Sequence, residues 1–147
     1  MADEGTVRIL ERVAVRSGTI TIRALGDVHP EFRALTVSQY RALALVASAA
    51  DGLRVGEIAR RMGTRPQAAG RIIQRLETQG LLWVERGAQA DRRAVVVRLT
   101  ELGSRTWSEI SERRQAHLAA ALEGVILPPG ADEVLEAVAG AIERYTA

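Results

Sequence analysis

Two short predicted helices joined at a single glycine constrain the fold of this chain more than any other feature of the sequence. Residues 56–63, GEIARRMG, predict a helix with its apolar side chains on one face and its end at Gly63. Residues 65–79 predict a second helix, because apolar side chains recur there with the spacing of a buried stripe. The stripe consists of Ala69, Ile72, Ile73 and Leu76. This arrangement is typical of a helix-turn-helix.

The start of the second helix is predicted from its capping residues. Thr64 has the side chain of an N-cap, and Gln67 three residues later completes a capping box, with Pro66 tolerated in the first turn. Polar or small residues occupy the face opposite the apolar stripe, namely Gln67, Gly70, Arg71 and Gln74. We therefore expect an outward face that carries donors and acceptors for a polar partner.

Two strand-like runs follow the second helix. Residues 81–85, LLWVE, and residues 94–100, AVVVRLT, are rich in β-branched and apolar side chains. The polar, glycine-containing segment RGAQADRR between them predicts a hairpin loop. Residues 53–55 predict a very short third strand. The hairpin after the helix-turn-helix predicts a wing.

Longer helices are predicted on both sides of this central part. Residues 6–26 are interpreted as a helix, although SGTITI alone has the composition of a strand. A capping box of Thr36 and Gln39 opens a helix from 37 to about 49, and Thr100 caps one over about 101–123. After Pro128-Pro129-Gly130, residues 131–145 form the last. The predicted fold class is mainly α with a small antiparallel β-hairpin wing.

Positive charge is concentrated in the centre of the chain. Residues 54–98 hold ten arginines and four acidic residues, a net charge of about +6, whereas the whole chain carries only +2. A basic centre between acidic flanks is the kind of surface that nucleic acid attracts.

Several classes of function are disfavoured by what the sequence lacks. The absence of cysteine excludes disulfides and thiolate metal sites, and two histidines, His29 and His117, are too few for a histidine-rich metal cluster. No pattern of an enzyme active site stands out. Neither a signal peptide nor an apolar run of the ~20 residues needed to span a membrane is found. We expect a cytoplasmic protein that is not an enzyme and uses no cofactor or metal.

An ordered set of motifs over residues 35–105 resembles the MarR family of transcriptional regulators. The segments are LTVSQYRALALV, EIARRMG, GRIIQRLETQGLL and DRRAVVVRLTELG, and the strongest element is Asp91-Arg92-Arg93 followed by Leu99-Thr100-Glu101-Leu102-Gly103. The resemblance implies one domain, 1–147, with a winged helix-turn-helix DNA-binding lobe over 35–100 and dimerisation helices in 1–34 and 101–147. It also implies a homodimer on double-stranded DNA, a repressor of a pseudo-palindromic operator.

The resemblance assigns the second helix to the major groove as the recognition helix, with Arg71 at a position where the family commonly places an arginine. Arg93 would enter the minor groove, steadied by Asp91. Between Gly80 and Asp91 the chain is one residue longer than the usual family spacing, which shifts the register of the wing tip. The predicted DNA-binding residues are Thr64, Arg65, Gln67, Arg71, Gln74, Arg75, Asp91, Arg92 and Arg93.

The resemblance further implies a small phenolic or amphipathic effector between the dimerisation helices and the lobe. The candidate ligand-binding residues are Arg16, Arg23, Tyr40 and Arg41. The alternative function is a winged-helix protein-interaction module without DNA binding. An arginine-rich second helix disfavours it, since a protein-binding face more often exposes aromatic side chains. Trp83 and Trp107 are accordingly predicted to pack in the core or at an interface.

Overall fold

The computed structural model describes residues 3–30, 32, 34–85 and 95–146, and this part of the chain contains six helices and three short strands. In chain order the elements are α1 (Glu4–Gly26), α2 (Val37–Ala47), β1 (Leu53–Arg54), α3 (Val55–Met62), α4 (Pro66–Thr78), β2 (Leu82–Glu85), β3 (Val96–Leu99), α5 (Glu101–Ala121) and α6 (Ala131–Thr146). The mainly α fold with a small antiparallel wing sheet confirms the predicted class.

The three strands form one antiparallel sheet in the order β1-β3-β2. Leu82 lies opposite Leu99, and Val84 lies opposite Val97. Leu82, Val84 and Val97 are buried, so this face of the sheet covers the core and alternate side chains face outward. Gly52, just before β1, has φ +77°, and a Cβ atom there would lie 2.6 Å from the carbonyl oxygen of Val97.

The core belongs to the central part of the chain. Its largest fully buried side chains come from α2 to α5 and from the sheet: Leu43, Ile58, Leu76, Leu81, Val97, Thr106 and Ile110. By contrast α1 buries only Thr21 and Ala24, and α6 buries none of its described side chains. Residues 35–100, the winged-helix lobe, therefore pack around their own centre together with the first half of α5.

The structure explains why threonine and glycine occupy their positions in the Leu-Thr-Glu-Leu-Gly motif. The Thr100 hydroxyl accepts the amide proton of Gly103 at 2.9 Å and donates to the carbonyl of Gly80 at 2.6 Å. The Thr100 amide donates to the carbonyl of Leu81 at 3.1 Å. A Cβ atom on Gly103 would overlap that Leu81 carbonyl. Thr100 thus caps α5, and Gly103 lets α5 start directly against the end of the helix-turn-helix.

The predicted cap of α4 is wrong. Thr64 does not cap this helix; Arg65 is at the N-cap position without a side-chain hydrogen bond, and the helix begins at Pro66. The amide of Thr64 donates instead to Ala59 at 3.0 Å, while Gly63 adopts φ 64°. Because this bond completes the left-handed termination of α3, Thr64 belongs to the end of one helix rather than the start of the next.

Other boundaries agree with the sequence to within a few residues. SGTITI is helical within α1, as predicted, and α1 begins at the N-cap Asp3. The backbone amide of Thr6 donates to the Asp3 carboxylate at 2.7 Å, and this hydrogen bond lowers the pKa of that carboxyl below its usual value. α2 ends at Ala47, two residues before the predicted end at about residue 49. In the described ranges no helix combines the length and apolarity that crossing a membrane requires.

Candidate nucleic-acid interface

The turn between α3 and α4 determines which face of α4 is buried. After the left-handed Gly63, the chain re-enters a helix at Pro66. On the inner face of α4, Ala69, Ile73 and Leu76 are buried, as the stripe predicted, while Ile72 is only partly buried. The opposite face is therefore presented to solvent along three turns of the helix.

This outward face is lined by side chains that donate and accept hydrogen bonds. Arg65, Gln67, Arg71, Gln74 and Arg75 are all exposed on or just before α4. Arg71 and Arg75, one turn apart, border a shallow groove of about 570 Å³ together with Gln39, Gln74, Thr78 and Gln79. The arrangement forms a convex helical surface with guanidinium and amide groups, which is suited to base edges and phosphates.

The remaining predicted interface residues lie elsewhere. Thr64 is half-buried in the turn, beside the start of α4. Asp91, Arg92 and Arg93 lie outside the described residues, so the minor-groove assignment stays a prediction from the resemblance. β2 and β3 lead toward this segment, and Glu85 lies 3.5 Å from Arg98 across the two strands.

The arginines of α3 have local acidic partners. Glu57 pairs with Arg61 at 2.5 Å and with Arg60 at 4.0 Å, within one helical turn. Arg41 of α2 reaches the carbonyl of Met62, the last residue of α3, at 3.3 Å. The bond from Arg41 ties α2 to the end of α3, a structural role for Arg41 that the sequence did not predict.

The two tryptophans differ in environment. Trp107 is partly buried, and its ring stacks on Tyr40 with centroids 5.6 Å apart. Trp83 is 52% exposed on the outer face of the wing sheet, opposite Arg98, so it is not a core residue. Of the two environments predicted for Trp83, the core and an interface, the exposed position agrees only with an interface.

Two of the four predicted ligand-binding residues come together. Tyr40 and Arg41 line a cavity of about 260 Å³ whose other described lining residues are Ala44, Leu45 and Arg61. Arg16 and Arg23 are exposed on α1 and are not among these lining residues. The sequence missed Arg61, since its pairing with Glu57 makes it look like an ordinary surface arginine.

A second cavity of about 600 Å³ shares Leu45 and Arg61 with the first and extends to the end of α6. Its other lining residues are Ser48, Glu143, Arg144 and Thr146. The two cavities together bring Arg41, Arg61, Glu143 and Arg144 around the side chain of Leu45. Nothing in the sequence spacing of α6 indicated that Arg144 would lie beside α2 and α3.

Apolar side chains are exposed on α1, on the end of α5, on the α5–α6 connection and on α6. They include Val7, Val13, Val15, Ile22, Leu118, Leu122, Val125, Ile126, Leu127, Val134, Leu135 and Ile142. Ile126 is 94% exposed. Apolar surface of this extent is unusual on a monomer and indicates a surface that another molecule covers.

The architecture is that of a winged helix-turn-helix protein, and comparison with known proteins shows which family it resembles. Residues 35–94 match the model of the MarR family. A MarR family protein from Bacillus stearothermophilus superposes with a TM-score of 0.73 at 26% identity, over 99% of this chain and 98% of that protein. The family model matches the winged-helix lobe and a MarR family protein shares the fold of the whole chain, which confirms the resemblance indicated by the motifs.

Two further structures are of CouR. CouR from Rhodococcus jostii RHA1, bound to p-coumaroyl-CoA, has a TM-score of 0.70 at 25% identity and covers 94% of this chain and 89% of its own. The transcriptional repressor CouR bound to a 23-mer DNA duplex shares the fold with a TM-score of 0.68 at 22% identity, over 95% and 92% of the two chains. Comparison with curated proteins gave no match.

Proposed function

We propose that this chain is a sequence-specific DNA-binding transcriptional repressor. The observation that carries the proposal is the exposed face of α4, where Arg71, Gln74 and Arg75 project from a helix held by a tight left-handed turn. An α-helix fits the major groove, and arginine and glutamine pair bidentately with guanine and adenine there. CouR, with the same fold, binds a DNA duplex.

The charge distribution supports the same partner. The net charge of about +6 over residues 54–98 lies in α3, α4, their connections and the wing, whereas residues 1–53 are neutral and residues 99–147 carry about −4. DNA would therefore approach the winged-helix lobe with α4 leading. Arg93 and Asp91 would place an arginine in the adjacent minor groove, as the MarR resemblance implies.

We infer that the chain acts as a homodimer and forms one domain over residues 1–147. Residues 35–100 would bind DNA, while 1–34 and 101–147 would pair with a second copy through the exposed apolar faces of α1, α5 and α6. A two-fold axis would separate the two recognition helices by about one DNA turn, roughly 34 Å. The operator would then be pseudo-palindromic, and a dimer bound near a promoter would exclude polymerase.

An organic anion is the effector that the cavities favour. The three arginines Arg41, Arg61 and Arg144 outnumber the one lining carboxylate, that of Glu143, so the cavities are net positive. The apolar wall is formed by Tyr40, Ala44 and Leu45. A molecule with a carboxylate or phosphate and an aromatic body matches both features. CouR is bound to p-coumaroyl-CoA, and NadR, another protein of this fold, is in complex with 4-hydroxyphenylacetate. By linkage, such a ligand releases DNA if it binds a dimer whose recognition helices are wrongly spaced.

The DNA-binding proposal is tested by selecting fragments of genomic DNA with the purified protein and sequencing them. We expect a shared motif with two-fold symmetry, bound at least 10³-fold more tightly than scrambled DNA at the same salt concentration. Recovery of unrelated fragments, with no motif after repeated selection, would contradict the proposal.

Exposed Trp83 favours the alternative, a winged-helix protein-interaction module. An aromatic side chain that is 52% exposed on a sheet face is typical of a protein contact. The two functions are separated by Trp83→Ala, which we expect to leave operator affinity within about twofold, as for surface substitutions in general. A chain that selects no DNA but captures a partner only when Trp83 is present would be the interaction module.

The homodimer is tested by light scattering at micromolar concentration. We expect the mass of two chains for the full-length protein, because the apolar faces of α1 and α6 have no cover within one chain. Deleting residues 128–147 removes α6 and leaves Leu118 and Leu122 without a partner, so that variant should be monomeric or aggregated. A stable full-length monomer would refute the two-fold operator model.

The effector site is tested through Trp107, which stacks on Tyr40 beside the first cavity. In a Trp83→Phe background Trp107 is the remaining tryptophan, and we expect 4-hydroxyphenylacetate to change its fluorescence. Ala44→Leu fills the cavity and should weaken this response at least about tenfold, a cost near 1.4 kcal/mol. An unchanged response in Ala44→Leu would place the ligand elsewhere.

A further inference from the structure

Tyr40 connects the winged-helix lobe to α5. Its side chain is 6% exposed, and its ring stacks on Trp107 of α5 with an interplanar angle of 25°. The Tyr40 hydroxyl accepts a hydrogen bond of 2.9 Å from Nη1 of Arg114, also on α5, whose guanidinium carbon lies 5.6 Å from the ring centroid. Stacking, a cation–π contact and a charged hydrogen bond therefore converge on one side chain.

The Tyr40 hydroxyl accepts the hydrogen bond from Nη1 of Arg114, and a second donor of this guanidinium has no such acceptor. Its Nε atom is buried and has no hydrogen-bond partner among the described residues. Loss of the Tyr40 hydroxyl would leave Nη1 without this acceptor as well. A guanidinium with two unsatisfied donors in a half-buried site would seek solvent or another acceptor, which would move α5 relative to α2.

The residues beside Tyr40 reach the helix-turn-helix. The Gln39 amide nitrogen lies 3.4 Å from the side-chain oxygen of Gln79, the C-cap of α4, and Arg41 donates to Met62 at the end of α3. Three consecutive residues of α2 thus contact the C-cap of α4, the middle of α5 and the last residue of α3 in turn. These three contacts connect α2 to α3, α4 and α5 within less than one helical turn.

The packing of the helices makes α2 the helix shared by α4 and α5. α4 packs against α2, α3 and β2, whereas α5 packs against α1, α2 and β3. The position of α4 relative to α5 is therefore determined by α2, by the paired strands β2 and β3, and by the direct contact of Thr100 and Gly103 with Gly80 and Leu81. Of these connections, only the one through α2 includes a charged hydrogen bond between described side chains of the lobe and of α5, the part-buried bond of Tyr40 with Arg114.

We propose that Tyr40 is a positioning residue for the recognition helix: its bond to Arg114 fixes the angle between α5 and α4, and hence the separation of the two α4 helices in the dimer. This inference rests on the proposed dimeric DNA binding. Adding or removing one base pair between half-sites shifts them by about 3.4 Å and rotates them by about 34°. A rigid joint at Tyr40 would make the protein sensitive to that change.

The experiment measures affinity for operators that differ only in half-site spacing, by −1, 0 or +1 base pair. Tyr40→Phe removes the hydroxyl and keeps the ring on Trp107. We expect it to lose about tenfold in affinity at the best spacing and less than about threefold at the other two, which flattens the spacing preference. The matched control is Tyr145→Phe, which removes the hydroxyl of the other tyrosine, 92% exposed on α6; it should retain the wild-type profile.

Arg114→Met removes the other half of the bond, so it should flatten the profile in the same way, and the double variant should add little. An equal loss at all three spacings in Tyr40→Phe would show a merely structural role and overturn the inference, as would an unchanged profile. A wild-type protein that binds the operator without any spacing preference would instead refute the proposed two-fold dimer. The two failures are thus distinguishable.

Discussion

Gly103→Ala is expected to lower the free energy of unfolding by about 3 kcal/mol. A glycine-to-alanine substitution in a helix normally changes this free energy by much less. A Cβ atom on Gly103 would overlap the carbonyl oxygen of Leu81. Two hydrogen bonds hold the Leu81 carbonyl in place. It accepts the amide proton of Thr100 at 3.1 Å, and the Leu81 amide donates to the carbonyl of Leu76 at 2.9 Å. The chain must therefore move α5 away from the end of α4.

Thermal unfolding measures this effect, and a drop of roughly 6–12 °C in Tm corresponds to it for a chain of this length. The matched control is Gly56→Ala in α3, where a Cβ atom meets nothing within 4 Å. Alanine has the higher helix propensity, so the control should be neutral or stabilise by up to about 1 kcal/mol. A Gly103→Ala protein as stable as this control would mean that α5 does not approach Leu81 so closely.

Gly103 also shows what a sequence motif can and cannot predict. The Leu-Thr-Glu-Leu-Gly pattern was sufficient to identify the start of α5 and the family resemblance, and Thr100 caps the helix as expected. The reason for the glycine was not visible in the sequence, because it lies in a contact with Leu81, more than twenty positions earlier. Local capping follows from neighbouring residues, whereas close packing between elements requires the fold.

The failure at Thr64 has a related cause. Its side chain and the spacing to Gln67 fit a capping box, and the local pattern alone favoured that prediction. Termination of α3 competed for the same backbone: Gly63 in the left-handed region brings the Thr64 amide to Ala59. A turn as short as this one has too few residues to end one helix and cap the next independently.

The contacts of Tyr40 were the least accessible from sequence. The family resemblance implied that Tyr40 lines a ligand pocket, and Tyr40 does line the first cavity, but its stacking on Trp107 and its bond to Arg114 were not predicted. No sequence pattern singled out Arg114. The 74 positions that separate the two residues carry no periodicity that pairs them, so only the packing of α2 on α5 could indicate the bond.

Substitution of Arg71 is expected to give the largest change in DNA recognition. Arg71 is exposed at the middle of the outward face of α4, so a bidentate contact with a base edge is available to it. We expect Arg71→Ala to weaken operator binding by about 1–3 kcal/mol per half-site, and by about twice that for a symmetric operator contacted by two copies. Binding to scrambled DNA should fall much less, so the specificity ratio collapses.

The measurement compares operator with scrambled DNA at several salt concentrations for three variants. Arg12→Ala is the control for charge, since it removes one exposed arginine from α1, outside the lobe, and should leave the specificity ratio intact. Arg93→Ala, at the position that the MarR resemblance assigns to the minor groove, should weaken both DNAs and flatten the salt dependence while preserving base preference. Arg71→Ala alone should relax the preference at particular base pairs. If Arg71→Ala and Arg93→Ala gave the same profile, α4 would contribute charge only, and sequence would have to be read by another element.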